Sequence, residues 1–196
     1  VTRASFEQHA DEAGARERET ESLAGELDHH RAILDRLMSG YEPSALELSA
    51  GDPSYPANGE SIIDHVVKAE RNLRESREIS AAAHEADREA RLIEAQSLLA
   101  HVGDLQFRVG ELYGEIRDRQ ARLQKVEQAN VVLLQQLEDE SLAMGASIED
   151  PRTMAPTVTA FEATGRDLDS ARLRSSSSPG DPFKVAALLE ATRRQF

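Results

Sequence analysis

The stretch VGDLQFRVGELYGEIRDRQARLQKVEQANVVLLQQL, from Val102 to Leu137, decides the fold class of this chain. Apolar side chains recur in it at alternating spacings of three and four residues, which is the heptad pattern of helices that pack along a narrow seam. The pattern predicts a long α-helix with one buried stripe. Its a positions are Val102, Val109, Ile116, Leu123, Asn130 and Leu137, and its d positions are Leu105, Leu112, Arg119, Val126 and Leu133.

The residue types in this stripe indicate how many strands it joins. β-Branched residues at a with leucine at d favour two parallel helices, and Asn130 at an a position fixes their register. We therefore predict a parallel coiled coil, formed with a second copy of the chain or with a different protein. Arg119 keeps the different protein open, because two copies would bring two guanidinium groups together at a d position and an acidic residue in a partner would relieve this. The alternative is that the stripe packs inside one chain, against the first or the terminal helix.

Composition supports an elongated all-α chain. Of its 196 residues, only 4% are aromatic, none is tryptophan and 30% are charged, a balance typical of long helices and coiled coils. The net charge of −13 opposes binding to nucleic acid or to an anionic membrane surface and favours a basic protein partner. The absence of cysteine excludes disulfides, zinc–thiolate sites and a cysteine nucleophile.

Proline, glycine and the apolar spacing divide the chain into five segments. Ser61 is a suitable N-cap with Asp64 in the first turn, and Gly40 is a suitable helix stop. We expect most of 145–180 to be irregular, with a short helix over about 158–173 as an alternative. The segments are an N-terminal helix within 1–40, a linker over 41–60, one long helix over 61–144 with its coiled coil at 102–138, a flexible linker over 145–180 and a terminal helix over 181–196.

The terminal segment has the features of a docking helix. Asp181 caps it, and Pro182 occupies the first helical position, where a missing N–H costs nothing. This helix either docks on a partner protein or folds back on its own chain, and the residues favour neither. Its apolar face consists of Phe183, Val185, Leu188, Leu189 and Phe196.

The first half of the predicted long helix differs from the second. Its apolar positions do not continue the heptad register, and small residues dominate SAAAHEADREA. Small side chains allow another helix to approach closely, which predicts a bundle or a partner contact there; the alternative is an exposed helix. The small residues are Ala81, Ala82, Ala83, Ala86 and Ala90.

The residues predict no catalytic, cofactor-binding or metal site. Glu26 and His29 form one Glu-x-x-His pair, whereas di-iron bundles need two with further glutamates. Gly103, Gly110 and Gly114 follow no strand and precede no Gly-Lys-Ser/Thr, which excludes a phosphate loop. They fall off the seam and either weaken the helix or leave room for a partner's backbone.

These observations predict a non-enzymatic structural or scaffold protein that assembles through its coiled coil within a larger complex. A regulatory adaptor that binds an enzyme or receptor reversibly is the first alternative, and a metal-binding helical bundle is the second. We expect protein partners, no nucleic acid and no membrane insertion, because no apolar run reaches the roughly 20 residues that span a bilayer. The start of the chain also lacks the apolar core of a signal peptide, so we expect a cytoplasmic location.

Overall fold

The computed structural model of the chain describes residues 3–50, 60–148 and 155–195, and the described residues contain no β-strand. The prediction of an all-α fold with a long helix is confirmed. The helices are α1 (Arg3–Gly40), α2 (Pro43–Leu46), α3 (Ile62–Arg88), α4 (Leu92–Ile148), α5 (Ala155–Ser175) and α6 (Pro182–Arg193). They divide into two compact units, here called bundle 1 (Val1–Asp35 and Ser61–Asp118) and bundle 2 (Arg36–Glu60 and Arg119–Phe196).

Bundle 1 consists of the greater part of α1, all of α3 and the first half of α4. Arg31 pairs with Glu70 at 2.6 Å, and Glu17 approaches His84 to 3.9 Å, so α1 and α3 run antiparallel. Helix α4 runs parallel to α1. Among the described residues, the core of bundle 1 is mainly aliphatic and includes Leu27, Leu34, Val66, Leu73, Leu99, Val102, Val109, Tyr113 and Ile116.

Bundle 2 consists of the second half of α4, α5 and α6, together with the end of α1 and the short helix α2. Its core joins one residue of α4, two of α5 and two of α6, namely Leu137, Leu168, Ala171, Val185 and Leu189. A β-bridge between Tyr41 and Gly180 connects the segment after α1 to the segment before α6. Burial of these apolar side chains stabilises bundle 2, as it stabilises bundle 1.

The predicted single helix over 61–144 is wrong at one place, because the chain reverses between α3 and α4. Ala90 adopts a positive φ of 58°. Its N–H donates to the carbonyl of Asp87, and the N–H of Arg91 donates to the carbonyl of Ala86. This pair of hydrogen bonds is a Schellman motif, in which glycine is the usual residue at the left-handed position. The sequence carries no glycine or proline here, so nothing local marked the break.

The two predicted linkers are more ordered than expected. Within 41–60, Ala45, Leu46 and Leu48 are buried, while residues 51–59 lie outside the described part. Within 145–180, α4 extends to Ile148 and α5 covers Ala155–Ser175, so the expectation of a mostly irregular segment is wrong. The predicted helix starts are confirmed: Asp64 accepts a hydrogen bond from the Ser61 N–H at 2.8 Å, and Asp181 accepts one from the Phe183 N–H at 3.0 Å.

Candidate interaction surfaces

The heptad stripe of α4 is buried by helices of its own chain. Its a positions are all buried, and none of its d positions is fully exposed. The four a and d positions buried in bundle 1 are Val102, Leu105, Val109 and Ile116, and the four in bundle 2 are Arg119, Leu123, Asn130 and Leu137. The remaining three, Leu112, Val126 and Leu133, are half-buried.

This arrangement is the alternative that the sequence left open, in which the stripe packs inside one chain. A second helix cannot cover the same positions while the bundles are closed. A parallel coiled coil through this stripe therefore stays a prediction, and it requires α4 to lose the packing described here.

Arg119, the charged residue at a d position, is buried with 3% of its surface exposed. Its guanidinium donates to the carbonyl of Ala45 at 3.1 Å and to the carbonyl of Ala50 at 2.8 Å. The guanidinium also lies over the ring of Phe183, 4.7 Å from its centroid, a cation–π contact. Arg119 thus holds α2, the segment that follows it and the start of α6 against α4, within bundle 2.

Asn130, the polar residue at an a position, has a similar role eleven residues further along α4. Its Nδ2 donates to the carbonyl of Pro182 at 2.7 Å, and the side chain is 5% exposed. The first turn of α6 is therefore fixed by a buried side chain of α4. Both polar residues of the stripe satisfy backbone acceptors in their own chain, where the heptad pattern predicted contacts with another helix.

The apolar face of the predicted docking helix is largely covered by the chain. Val185 and Leu189 are buried against Leu137, Leu168 and Ala171. Phe183 and Leu188 are half-buried, and Phe196 lies outside the described residues. The fold-back alternative describes α6 in this structure.

The cap of α6 adds charge to this attachment. Asp181 accepts a hydrogen bond from the hydroxyl of Ser44 at 2.8 Å, and Lys184 pairs with Glu42 at 2.6 Å. Burial by itself raises the pKa of Asp181, but the hydrogen bonds from Ser44 and Lys184 outweigh it and keep that pKa below its ordinary value. The ionised cap is therefore the stable form at neutral pH.

Bundle 1 has a polar layer that the heptad analysis missed. Gln106 donates to the carbonyl of Arg16 at 2.7 Å and to the hydroxyl of Thr20 at 2.9 Å. The Tyr113 hydroxyl donates to the carbonyl of Leu23 at 2.8 Å. Gln106 and Tyr113 lie at e, each directly after a d position, and a stripe that includes e is typical of helices in a globular bundle. That wider stripe was the signal available in the sequence.

His30 lies in the interior of bundle 1, with 1% of its surface exposed. Its ring is 4.2 Å from that of Tyr113, centroid to centroid, and its Nδ1 makes no hydrogen bond within the described part of the chain. Burial, followed by the charges of Arg117 and His29, lowers the pKa of His30, whereas Glu26 acts in the opposite direction. The neutral ring is therefore the folded form.

A cavity of about 250 Å³ lies within bundle 2, beside the β-bridge. Polar groups from three elements line it, among them Tyr41, Glu127, Asn130 and Arg174. Burial, together with a hydrogen bond to Glu127, raises the pKa of Tyr41 to about 12, so its hydroxyl stays protonated. Because Asn130 is bonded to the backbone of α6, the cavity wall is part of the attachment of that helix.

The outer face of α4 in bundle 1 carries a groove shared with α1, here called the Phe107 groove. It has a volume of 520 Å³, and the Phe107 ring that lines it is 68% exposed. An exposed aromatic ring is informative here because it lines a groove, the kind of surface that contacts other molecules. The groove is lined by Glu19 and Leu23 of α1 and by Gly103, Phe107, Gly110 and Glu111 of α4.

Two of the three predicted glycine positions line this groove, and they differ. A Cβ at Gly103 would lie 3.0 Å from the Arg16 guanidinium, so glycine there makes room for a side chain of α1. A Cβ at Gly110 would meet nothing within 4 Å. The chain's own packing therefore explains Gly103 and leaves Gly110, beside Phe107, open to another molecule.

The predicted alanine-rich face divides in the same way. Ala83 and Ala86 are buried in bundle 1, which confirms the bundle interpretation for these two. Ala81, Ala82 and Ala90 are exposed.

No group of three histidine, aspartate or glutamate side chains in the described residues is arranged to hold a metal ion. Among the described helices, none combines the length and apolar character that crossing a bilayer requires.

Comparison with known proteins gives this chain no relative. No protein-family model, no curated protein and no solved structure matches it.

Proposed function

We propose that this chain is a non-enzymatic helical protein that holds protein partners, as a component of a scaffold. The observation that carries the proposal is the set of large apolar side chains on the outer faces of its helices. Helices of the same chain cover the heptad stripe, whereas the apolar side chains on the outer faces are more than half exposed. They are Val67, Ile93 and Phe107 in bundle 1, and Val131, Val132, Leu142 and Leu173 in bundle 2.

The buried polar groups support a structural role. Arg119, Asn130, Gln106 and Tyr113 all donate hydrogen bonds to backbone carbonyls of the same chain. Side chains used in this way determine a single packing arrangement. The net charge of −13 adds long-range attraction for basic surfaces, which speeds encounter with a partner.

The test is purification of the full chain from its native source under mild conditions, with chemical crosslinking and measurement of stoichiometry. We expect one or more proteins at fixed molar ratio, with crosslinks to the outer faces of the helices. A permanent complex supports a scaffold, whereas a complex that exchanges within minutes supports the regulatory adaptor instead. A monomer that carries no stoichiometric partner contradicts both.

A further inference from the structure

The Phe107 groove has the shape that accepts a helix. Gly103, Phe107 and Gly110 follow one another at i, i+4 and i+7, so they lie on one face of α4. The two glycines lower the helix surface on either side of the exposed ring, and Leu23 of α1 adds a second apolar side chain to the lining. A helix laid along this face can place apolar side chains over the glycines and against Phe107.

The charges around the groove select the partner. Glu19 lines it from α1 and Glu111 lines it from α4. Asp104 and Asp118 are exposed and lie seven residues before and after Glu111, so they extend the acidic edge along the same side of α4. None of these four carboxylates forms an ion pair within the described part of the chain.

Arg16 also lines the groove, and its guanidinium is hydrogen-bonded within the chain. The Arg16 guanidinium donates to Gln106 Oε1 at 3.3 Å and lies against the Gly103 end. The groove therefore has apolar side chains at Leu23 and Phe107, and its lining carries the two carboxylates of Glu19 and Glu111 against one guanidinium, a net acidic balance. A second copy of this chain would bring acidic edges against acidic edges, whereas lysine or arginine beside an apolar stripe complements both features.

We infer that the Phe107 groove binds a basic amphipathic helix of a partner protein. The inference rests on the proposed function and names the class of partner that one of its surfaces accepts. Apolar side chains of the partner helix cover Phe107 and the glycines, and its basic flanks face Glu19 and Glu111.

The test uses the full chain and synthetic peptides about four turns long. The probe is a helix with leucines on one face and lysines on both flanks. One control peptide replaces each lysine by glutamate, and a second has the same composition with the leucines scrambled. We expect fluorescence anisotropy to show binding of the lysine peptide alone, with affinity that falls as salt is raised.

Two variants locate the binding to the groove. Phe107→Ala removes the exposed ring and is expected to weaken binding at least tenfold. Gly110→Leu places a branched side chain in the groove and is expected to weaken binding similarly; Gly110 is exposed and an added Cβ meets nothing within 4 Å, so we expect native helix content, which circular dichroism checks. Gly25→Leu is the matched control, since Gly25 is equally open, does not line the groove, and its variant should bind as the wild type does.

The outcomes separate the possibilities. Equal binding by the scrambled peptide, or unchanged binding by both groove variants with native helix content, overturns the inference in favour of general attraction to an acidic protein. Self-association that Gly110→Leu abolishes overturns it in favour of a second copy. A native partner retained in full by Gly110→Leu overturns the inference but leaves the proposed function intact, whereas loss of the lysine peptide and of that partner together supports both.

Discussion

The guanidinium of Arg119 lies 4.7 Å from the ring centroid of Phe183, which joins two residues that the sequence assigned to different binding surfaces. Arg119 belongs to the heptad stripe and Phe183 to the terminal helix. They meet inside bundle 2, while the same guanidinium donates to the carbonyls of Ala45 and Ala50. One buried cation thus satisfies two backbone acceptors and packs on an aromatic ring.

Arg119→Leu tests this relationship. We expect it to lower the free energy of unfolding by about 3 kcal/mol, because two backbone acceptors lose their donor in a buried place. A two-stranded coiled coil through the stripe predicts the opposite sign, since leucine is the preferred residue at d. Urea unfolding measures the difference, and Lys125→Leu, at an exposed position of the same helix, should change stability by less than about 0.5 kcal/mol.

Asn130→Leu is a second variant for which the two arrangements predict opposite changes in stability. The variant leaves the Pro182 carbonyl without its donor, so we expect a loss of about 1–2 kcal/mol and a lower melting temperature. If Asn130 instead faced its own copy in a parallel dimer, the leucine would raise the melting temperature and loosen the oligomer number. Thermal melting with light scattering on the same samples distinguishes the two results.

Ala90→Gly tests the reversal between α3 and α4. Because Ala90 adopts a φ of 58°, a conformation that costs an L-residue roughly 1 kcal/mol, glycine should raise the free energy of unfolding by up to about that amount. In an uninterrupted helix the same change would cost about 1 kcal/mol. Ala82→Gly, at an exposed position inside α3, supplies that reference.

Cysteine substitutions test which residues of α4 the chain covers. The wild type has no cysteine, so each variant carries one thiol. Leu137 is 1% exposed and Leu142 is 77% exposed. We expect Leu137→Cys to react with a thiol reagent at least tenfold more slowly than Leu142→Cys. Rapid disulfide formation between two Leu137→Cys chains would show that the stripe meets a second copy in parallel.

His30 makes stability depend on pH. Burial, with the charges of Arg117 and His29, places its folded pKa below the ordinary 6.5, against the effect of Glu26. The unfolded chain therefore takes up the proton first, and this contribution to stability is complete above about pH 7 and is lost as the pH falls through about 6.5. His30→Phe should lose less stability than the wild type between about pH 7.5 and 5.5, measured by urea midpoints.

The other histidines remain in both proteins, so the difference between the two pH profiles reports on His30. The comparison stays above the range in which Asp181, whose pKa is lowered, takes up a proton. Equal losses in wild type and variant would contradict the assignment of His30 as a neutral interior residue.

The heptad pattern predicted much of α4, because alternate spacings of three and four determine which side of a helix is buried. It did not predict what covers that side, since the same leucines pack against a second chain or against α1, α3, α5 and α6. The deciding residues are Arg119 and Asn130, whose partners are backbone carbonyls that lie 74 and 52 residues away along the chain. Spacing alone carries no information about contacts at that separation.

The break at Ala90 was hidden for a different reason. Glycine and proline mark helix ends because of their own backbone preferences, and 89–91 contains neither. Packing of Ala83 and Leu99 in one cluster requires the reversal, and tertiary packing routinely overrides a local preference of this size. His30 takes one slot in the apolar spacing of Leu23, Leu27, Leu34 and Leu37, so its burial follows from the pattern, whereas its contact with Tyr113 does not.

The hydrogen bond from the Ser178 hydroxyl to the Ser39 carbonyl spans 139 residues, and it has a consequence for the order of folding. All residues of bundle 1 have been synthesised once residue 118 is made, whereas Ser39, Gly40 and Glu42 of bundle 2 must wait for the segment between α5 and α6. Contacts this distant carry a large loop-closure cost and form late. During synthesis, bundle 1 is therefore complete in sequence before Ser39 and Glu42 meet their partners Ser178 and Lys184, and this interval is the one in which bundle 2 is most open to a chaperone.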